Sequence, residues 1–120
     1  MNMKTIKVSE ATPKQLDWLV AVCEGKQNDC EVHAGNVLYG RVTSGFVQFR
    51  PSTDWARGGA IIERERITLR VDTRGGRWVA FMDGYCVAGR AIDPTPLVAA
   101  MRCYVTSNLG ETAEVPGELT

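Results

Sequence analysis

Histidine occurs once in this chain, at position 33, and net charge is absent: fourteen Lys and Arg stand against fourteen Asp and Glu. Without surplus charge, no whole-molecule field gathers nucleic acid or an anionic membrane at the surface. Nucleic acid is therefore not an expected partner. Long apolar runs are missing too. The run LVAVC from Leu19 to Cys23 is far short of a membrane span, and the opening MNMKTIKVSE has no apolar signal-peptide core. These features read as a cytoplasmic protein with no membrane partner.

Lysine stops at Lys26, so the chain has no G-x-x-x-x-G-K-[ST] phosphate loop. Cys23, Cys30, Cys86 and Cys103 form no C-x-x-C pair and read as free thiols in a reducing compartment. A zinc set of Cys23, Cys30 and His33 matches no recurrent ligand spacing and lacks a fourth ligand. No metal or cofactor is expected. Catalytic pairings are equally scarce. Ser52 and Cys86 have no evident base, and Glu63 and Glu65, two apart, point to different sides of a helix. The expectation is a protein without catalytic residues, and an enzymatic reading would need His33 to meet carboxylates in a pocket.

What is present is an ordinary globular composition, 44% hydrophobic and 23% charged over 120 residues. That is the size of one domain with one core, 1–120, with the acidic tail 111–120 expected to fray. Ten of the fourteen basic residues are Arg, which suits bidentate pairing with carboxylate or phosphate and equally suits surface salt bridges.

Three helices are legible. In TPKQLDWLVAVCEG, Thr12 is placed as N-cap, Pro13 as first helical residue, Gln15 to close a capping box and Gly25 as terminator. Leu16, Leu19, Val20 and Cys23 share its core face. TPLVAAMRCYVTSNLG repeats that syntax from Thr95 to Gly110, with Leu97, Met101, Tyr104 and Val105 inward and small Ala99, Ala100 and Cys103 allowing close approach. A third helix spans Asp54 to Arg66. KQNDCEVHAGN reads as a loop. VLYGRVTSGFVQF, around Ser44-Gly45, reads as a hairpin; ITLRVDT as a half-buried strand turning at Arg74-Gly75-Gly76 into RWVAFMD; and Asp83-Gly84 as a hairpin turn into YCVAGR. The fold class expected is α+β, an antiparallel sheet of about four to six strands packed by the three helices.

The segment RPSTDWARGGAIIERERI, Arg50 to Ile67, is the least ordinary. Ser52, Thr53 and Asp54 are consecutive N-cap candidates. Two readings are open. In one, Asp54 caps, Trp55 packs on the core, Gly58 and Gly59 allow close backbone approach, and Ile61 and Ile62 point inward. In the other, the cost of two adjacent helical glycines marks a binding site. Free N–H groups at a helix start, with Ser52, Thr53, Asp54, Trp55, Arg57, Gly58, Gly59 and Arg64 around them, would then meet a small phosphorylated ligand or a carboxylate-bearing protein.

PSTDWARGGAIIERE together with TPLVAAMRCYVTSNLGE resembles the NinX type of small bacteriophage proteins, encoded among accessory genes of lambdoid phages and prophages. The likeness runs from MKTIKVSEAT to EVPGEL; Ala60 stands where that family often has Pro. The resemblance implies an αβα-sandwich-like fold and a phage accessory role in the bacterial host cytoplasm, and it implies no reaction. The function expected is a non-enzymatic module that binds a host protein. The alternative is a binder that sequesters a nucleotide-derived host signal in an anti-defence role, for which a homodimer with pockets at its interface would be suitable.

Overall fold

The computed structural model describes residues 2–41, 45–73, 75–82 and 91–119. Helix α1 (Pro13–Cys23) begins as its sequence dictates: Thr12 Oγ1 accepts from Gln15 N at 3.3 Å, and Thr12 N donates back to Gln15 Oε1 at 2.9 Å. It ends where Gly25 takes a positive φ of 71°. Helix α3 (Pro96–Leu109) starts differently from expectation. Thr95 occupies the N-cap position without a side-chain bond; instead Asp93 Oδ1 accepts from Thr95 N at 2.9 Å. Eight α3 residues are buried, from Leu97 to Val105 with only Arg102 left out. A helix apolar nearly all round belongs at the centre of a core, and α3 packs against α1, helix α2 (Trp55–Glu65) and the strands beside it.

The α+β class holds, with antiparallel pairing throughout the described strands. Those strands fall into three small sheets rather than one. The first joins β1 (Met3–Lys7) to β8 (Thr112–Pro116); the second runs β2 (Cys30–His33), β3 (Asn36–Arg41), β4 (Gly45–Gln48); the third runs β5 (Thr68–Asp72), β6 (Arg77–Phe81), β7 (Ala91–Asp93). The β3–β4 hairpin and the β5–β6 pair match expectation, with Gly76 at a positive φ of 63° in the second turn. Residues 42–44, Arg74 and 83–90 lie outside the described residues, and with them the Ser44, Asp83-Gly84 and YCVAGR readings.

One expectation is corrected. The stretch read as a loop after α1 contains β2, which pairs with β3 from Cys30↔Tyr39 to His33↔Asn36. Its turn is Ala34-Gly35, both at positive φ, 51° and 77°. That backbone matches the twist of a hairpin, but Ala in the first place hides it from sequence reading. The acidic tail, too, carries a strand. Thr112–Pro116 forms β8 in register with β1, Val115 is fully buried, and Gly117 N donates to Asn2 O at 2.8 Å. Apolar Val115, Pro116 and Leu119, spaced among the acidic residues, supply the burial that the tail's charge obscures.

Candidate functional site

The segment from Phe49 to Arg66 sorts its residues into inward and outward sets. Arg50 O accepts from Thr53 N at 3.0 Å and from Asp54 N at 2.7 Å, folding a turn that sends its residues to different sides. Pro51 and Ser52 go inward. Ser52 is fully buried, its N donates to Asp17 Oδ1 at 2.9 Å, and its Oγ lies 2.6 Å from the same oxygen and 3.0 Å from Pro13 O. The hydroxyl has one proton for two acceptors. With Asp17 ionised it donates to the carboxylate; with Asp17 protonated the acid donates to Oγ, and Oγ turns to Pro13 O. Burial pushes the Asp17 carboxyl up to about 6, against the lowering effect of both Ser52 bonds and of nearby Arg50 and Lys14. Ser52 is thus a tie between α1 and the entry to α2, removed from any ligand-facing surface.

Thr53 is exposed, and Asp54 is the N-cap: its Oδ1 accepts from Ala56 N at 3.0 Å. The cap places a carboxylate where an anionic ligand would have to sit. The two glycines part company. A Cβ on Gly58 would fall 2.2 Å from Pro51 O and 2.4 Å from Leu97 Cδ1, so Gly58 is what lets α2 lie against α3. Gly59 meets only Trp55 Cε3 at 3.8 Å, an ordinary contact. Ile61 is buried and Ile62 half-buried. Arg64 is engaged: it forks onto Glu24 at 2.9 and 2.7 Å, reaches Glu65 at 2.9 Å, and donates to Tyr104 Oη at 3.2 Å. Tyr104 Oη donates to Glu24 Oε2 at 2.5 Å. The Arg64 hydrogen bonds hold the Glu24 carboxyl below its usual range, and burial followed by the Glu24 contact raises the Tyr104 hydroxyl.

Trp55 and Arg57 lie in the first turn of α2, two residues apart and so on different sides of it, Trp55 exposed and Arg57 half-buried. Trp55 is 54% exposed, the opposite of a core tryptophan. Arg57 lays its guanidinium over two rings, 5.6 Å from the Tyr39 centroid and 5.2 Å from that of Phe49, and among the described residues it forms no ion pair. Lys26 Nζ lies 4.9 Å from the Tyr39 ring. Tyr39 and Phe49 meet at 6.0 Å, and Val47, opposite Tyr39 in the β3–β4 register, is 56% exposed. The result is a cluster in which two cations lie over aromatic rings next to the exposed Val47, with the exposed Trp55 two residues before Arg57 in α2.

Of the eight motif residues, the fold therefore leaves Thr53 and Trp55 exposed, half-buries Arg57 over two rings and Gly59 beside Trp55, spends Asp54 on the cap, buries Ser52 and Gly58, and ties Arg64 to Glu24. Lys26, Tyr39, Val47 and Phe49 join from the β2–β4 sheet and its approach; nothing in local spacing announces them. Asp17 did carry a signal, a charge inside the otherwise apolar run Leu16 to Cys23. His33 is exposed at the β2–β3 hairpin. Cys23, Cys30 and Cys103 are free thiols, and desolvation pushes them up to about 12, 11 and 11, away from thiolate chemistry. Among the described residues no group of three His, Cys, Asp or Glu side chains is arranged to hold a metal ion, and no helix is long and apolar enough to cross a membrane.

A family model described as Bacteriophage P22, NinX matches residues 7–108 of this chain. No curated protein matches it.

Proposed function

The chain belongs to the NinX family of bacteriophage P22, and from that premise we propose that this phage accessory protein is a non-enzymatic module that binds a protein in the host cytoplasm. The contact surface is the one centred on Trp55 and Arg57, with Lys26, Tyr39 and Val47 around them. The observation that carries this reading is the exposure of Trp55 together with the Arg57 guanidinium, which rests on aromatic rings and forms no ion pair among the described residues. A surface tryptophan adds little to stability, and a half-buried Arg with no ion pair among the described residues can take a partner's Asp or Glu; Trp and Arg are the residues that most often anchor interfaces. Rigid placement lowers the ordering cost of binding. The partner face that fits is acidic with an apolar centre. The alternative, sequestration of a phosphorylated host signal at the α2 N-terminus, is disfavoured at that spot by the Asp54 carboxylate already bonded to Ala56 N.

The test is capture from host lysate by the immobilised protein, comparing the native chain with Trp55→Ala and Arg57→Glu. The expected result is one stoichiometric host protein retained by the native chain and lost from both variants, while each variant unfolds within about 1 kcal/mol of the native chain. Equal retention by all three would overturn this surface as the contact.

A further inference from the structure

The ribbon of β1 and β8 has an open side. Among the described residues β8 pairs with β1 alone, so its other edge presents main-chain groups with no strand to meet, a ready template for a further strand. The register says which groups these are. Gly117 N donates to Asn2 O at 2.8 Å and Val8 N to Glu111 O at 2.9 Å, and both couples continue the alignment from Met3↔Pro116 to Lys7↔Thr112. Bonded and non-bonded couples alternate along an antiparallel pair, so Lys4↔Val115 and Ile6↔Ala113 exchange bonds, while Thr112 and Glu114 turn their N–H and C=O away from β1. Pro116 agrees with that parity: it has no N–H and falls in an outward place.

This edge borders an open groove of about 510 Å³. Thr112, Ala113 and Glu114 line it from β8, and Trp18, Leu19 and Val22 from α1. Met3 and Leu109, large apolar side chains left 46% and 37% exposed, line it too. Trp18 Nε1 is buried with no acceptor among the described residues, so this wall is incomplete in the isolated chain. No Lys or Arg is among the described lining residues, and an anion therefore finds no counter-charge here. What fits is a strand that brings its own main-chain donors and acceptors.

The chain itself supplies one. Two β8 strands set antiparallel about Ala113 place Thr112 of each copy opposite Glu114 of the other, and these are the residues whose N–H and C=O point outward. Each Glu114 then meets a threonine. Neighbouring registers are worse. An axis at Glu114 opposes the two carboxylates and sets Thr112 against Pro116, which has no N–H to give. An axis at Thr112 sets Glu114 against Gly110, whose N–H is already spent on Thr106 O at 2.9 Å.

We propose that the protein is a homodimer in which the two β8 strands pair about Ala113, joining two marginal ribbons into one four-stranded sheet. The partner's strand occupies the open side of the groove, where Met3 and Leu109 are exposed. Trp55, Arg57, Lys26 and Tyr39 do not line this groove, so the dimer stands or falls apart from the protein-binding surface.

The experiment is sedimentation equilibrium of the full chain from micromolar to millimolar concentration, with amide hydrogen exchange read at both ends of that range. A dimer is expected, in which the Thr112 and Glu114 amides exchange at least tenfold more slowly than in the dilute monomer, whereas those of Ala113 and Val115, already bonded to β1, change less. Thr112→Glu opposes a carboxylate to Glu114 of the partner subunit and should weaken association about fivefold or more. Adding Glu114→Lys turns each such couple into an ion pair and should restore it. Glu114→Pro deletes an outward N–H without touching the bonds to β1 and should weaken association tenfold or more. Both positions are exposed, and amide NMR spectra confirm that the variants are folded. A monomer at millimolar concentration, a dimer indifferent to these substitutions, or a loss in Thr112→Glu that Glu114→Lys does not restore would each overturn the proposal.

Discussion

Asp17 is where a single residue says most about this molecule. The residue is 4% exposed, and burial pushes its carboxyl up to about 6, above the ordinary value of 3.8. A raised acid in the folded state binds its proton more readily than in the unfolded chain, so the stabilising contribution is complete below pH 4 and is lost as pH rises from about 4 to about 6. Glu24 runs the other way: held below its usual range by Arg64, it stabilises above its ordinary pKa and loses that contribution on acidification. The two are separable by mutation. The native chain should exceed Asp17→Asn in stability by on the order of 2–3 kcal/mol more at pH 4 than at pH 7, read by urea denaturation across that range. A difference that does not vary with pH would mean Asp17 titrates like a solvated carboxylate. None of this geometry was legible in sequence. The charge inside an apolar run marks Asp17 as unusual, but its partner Ser52 is thirty-five residues away, and the residues of the motif read as a binding cluster divide between core, cap and surface because a turn points neighbours in opposite directions.

At the scale of elements, helices were the legible part, because their signals lie within one turn of the residue concerned. The Thr12 capping box, Pro13 and Pro96 at the helix starts and the Asp54 cap all act locally. The β2 strand and the grouping into three sheets depend on pairing across the chain, which spacing does not record. The adjacent glycines of α2 show how the same residue type takes two meanings. Gly58→Ala drives a methyl into Pro51 O and Leu97, so α2 must move off α3 or Leu97 must abandon its place; the cost should be about 1–3 kcal/mol, as for overpacking elsewhere. Gly59→Ala meets open space apart from the Trp55 ring, and in a helix interior it should stabilise by about 0.5–1 kcal/mol. Thermal melts of the two variants decide the matter by sign. If both stabilise, the α2–α3 approach is not set by Gly58, and if both destabilise, Gly59 has a contact beyond those of the isolated fold.

For the whole molecule, the chain's two ends are brought together by one strand pair. β1 and β8 align from Met3↔Pro116 to Lys7↔Thr112, and Val8 N donates to Glu111 O at 2.9 Å just past it. A two-stranded ribbon is marginal alone, so its stability must come from the core it covers: Val8 and Val115 are fully buried and Leu119 is 7% exposed. Ending the chain at Gly110 therefore removes more than an acidic tail. Loss of Val115 and Leu119 forfeits about 3–6 kcal/mol of apolar burial, leaves β1 without a partner, and uncovers the side of α1 and α3 that β8 packs against. Against a total of about 5–15 kcal/mol for a domain, that loss should leave the truncated chain largely unfolded at 37 °C, with weak near-ultraviolet dichroism and a broad melt. Val115→Ala in the full chain keeps the strand and isolates the core contribution, at about 2–4 kcal/mol. Should the truncated chain instead melt within a few degrees of the full one, β8 would be an ornament on a core complete without it, and the burial of Val115 would have to be matched by collapse of its neighbours into the space it left.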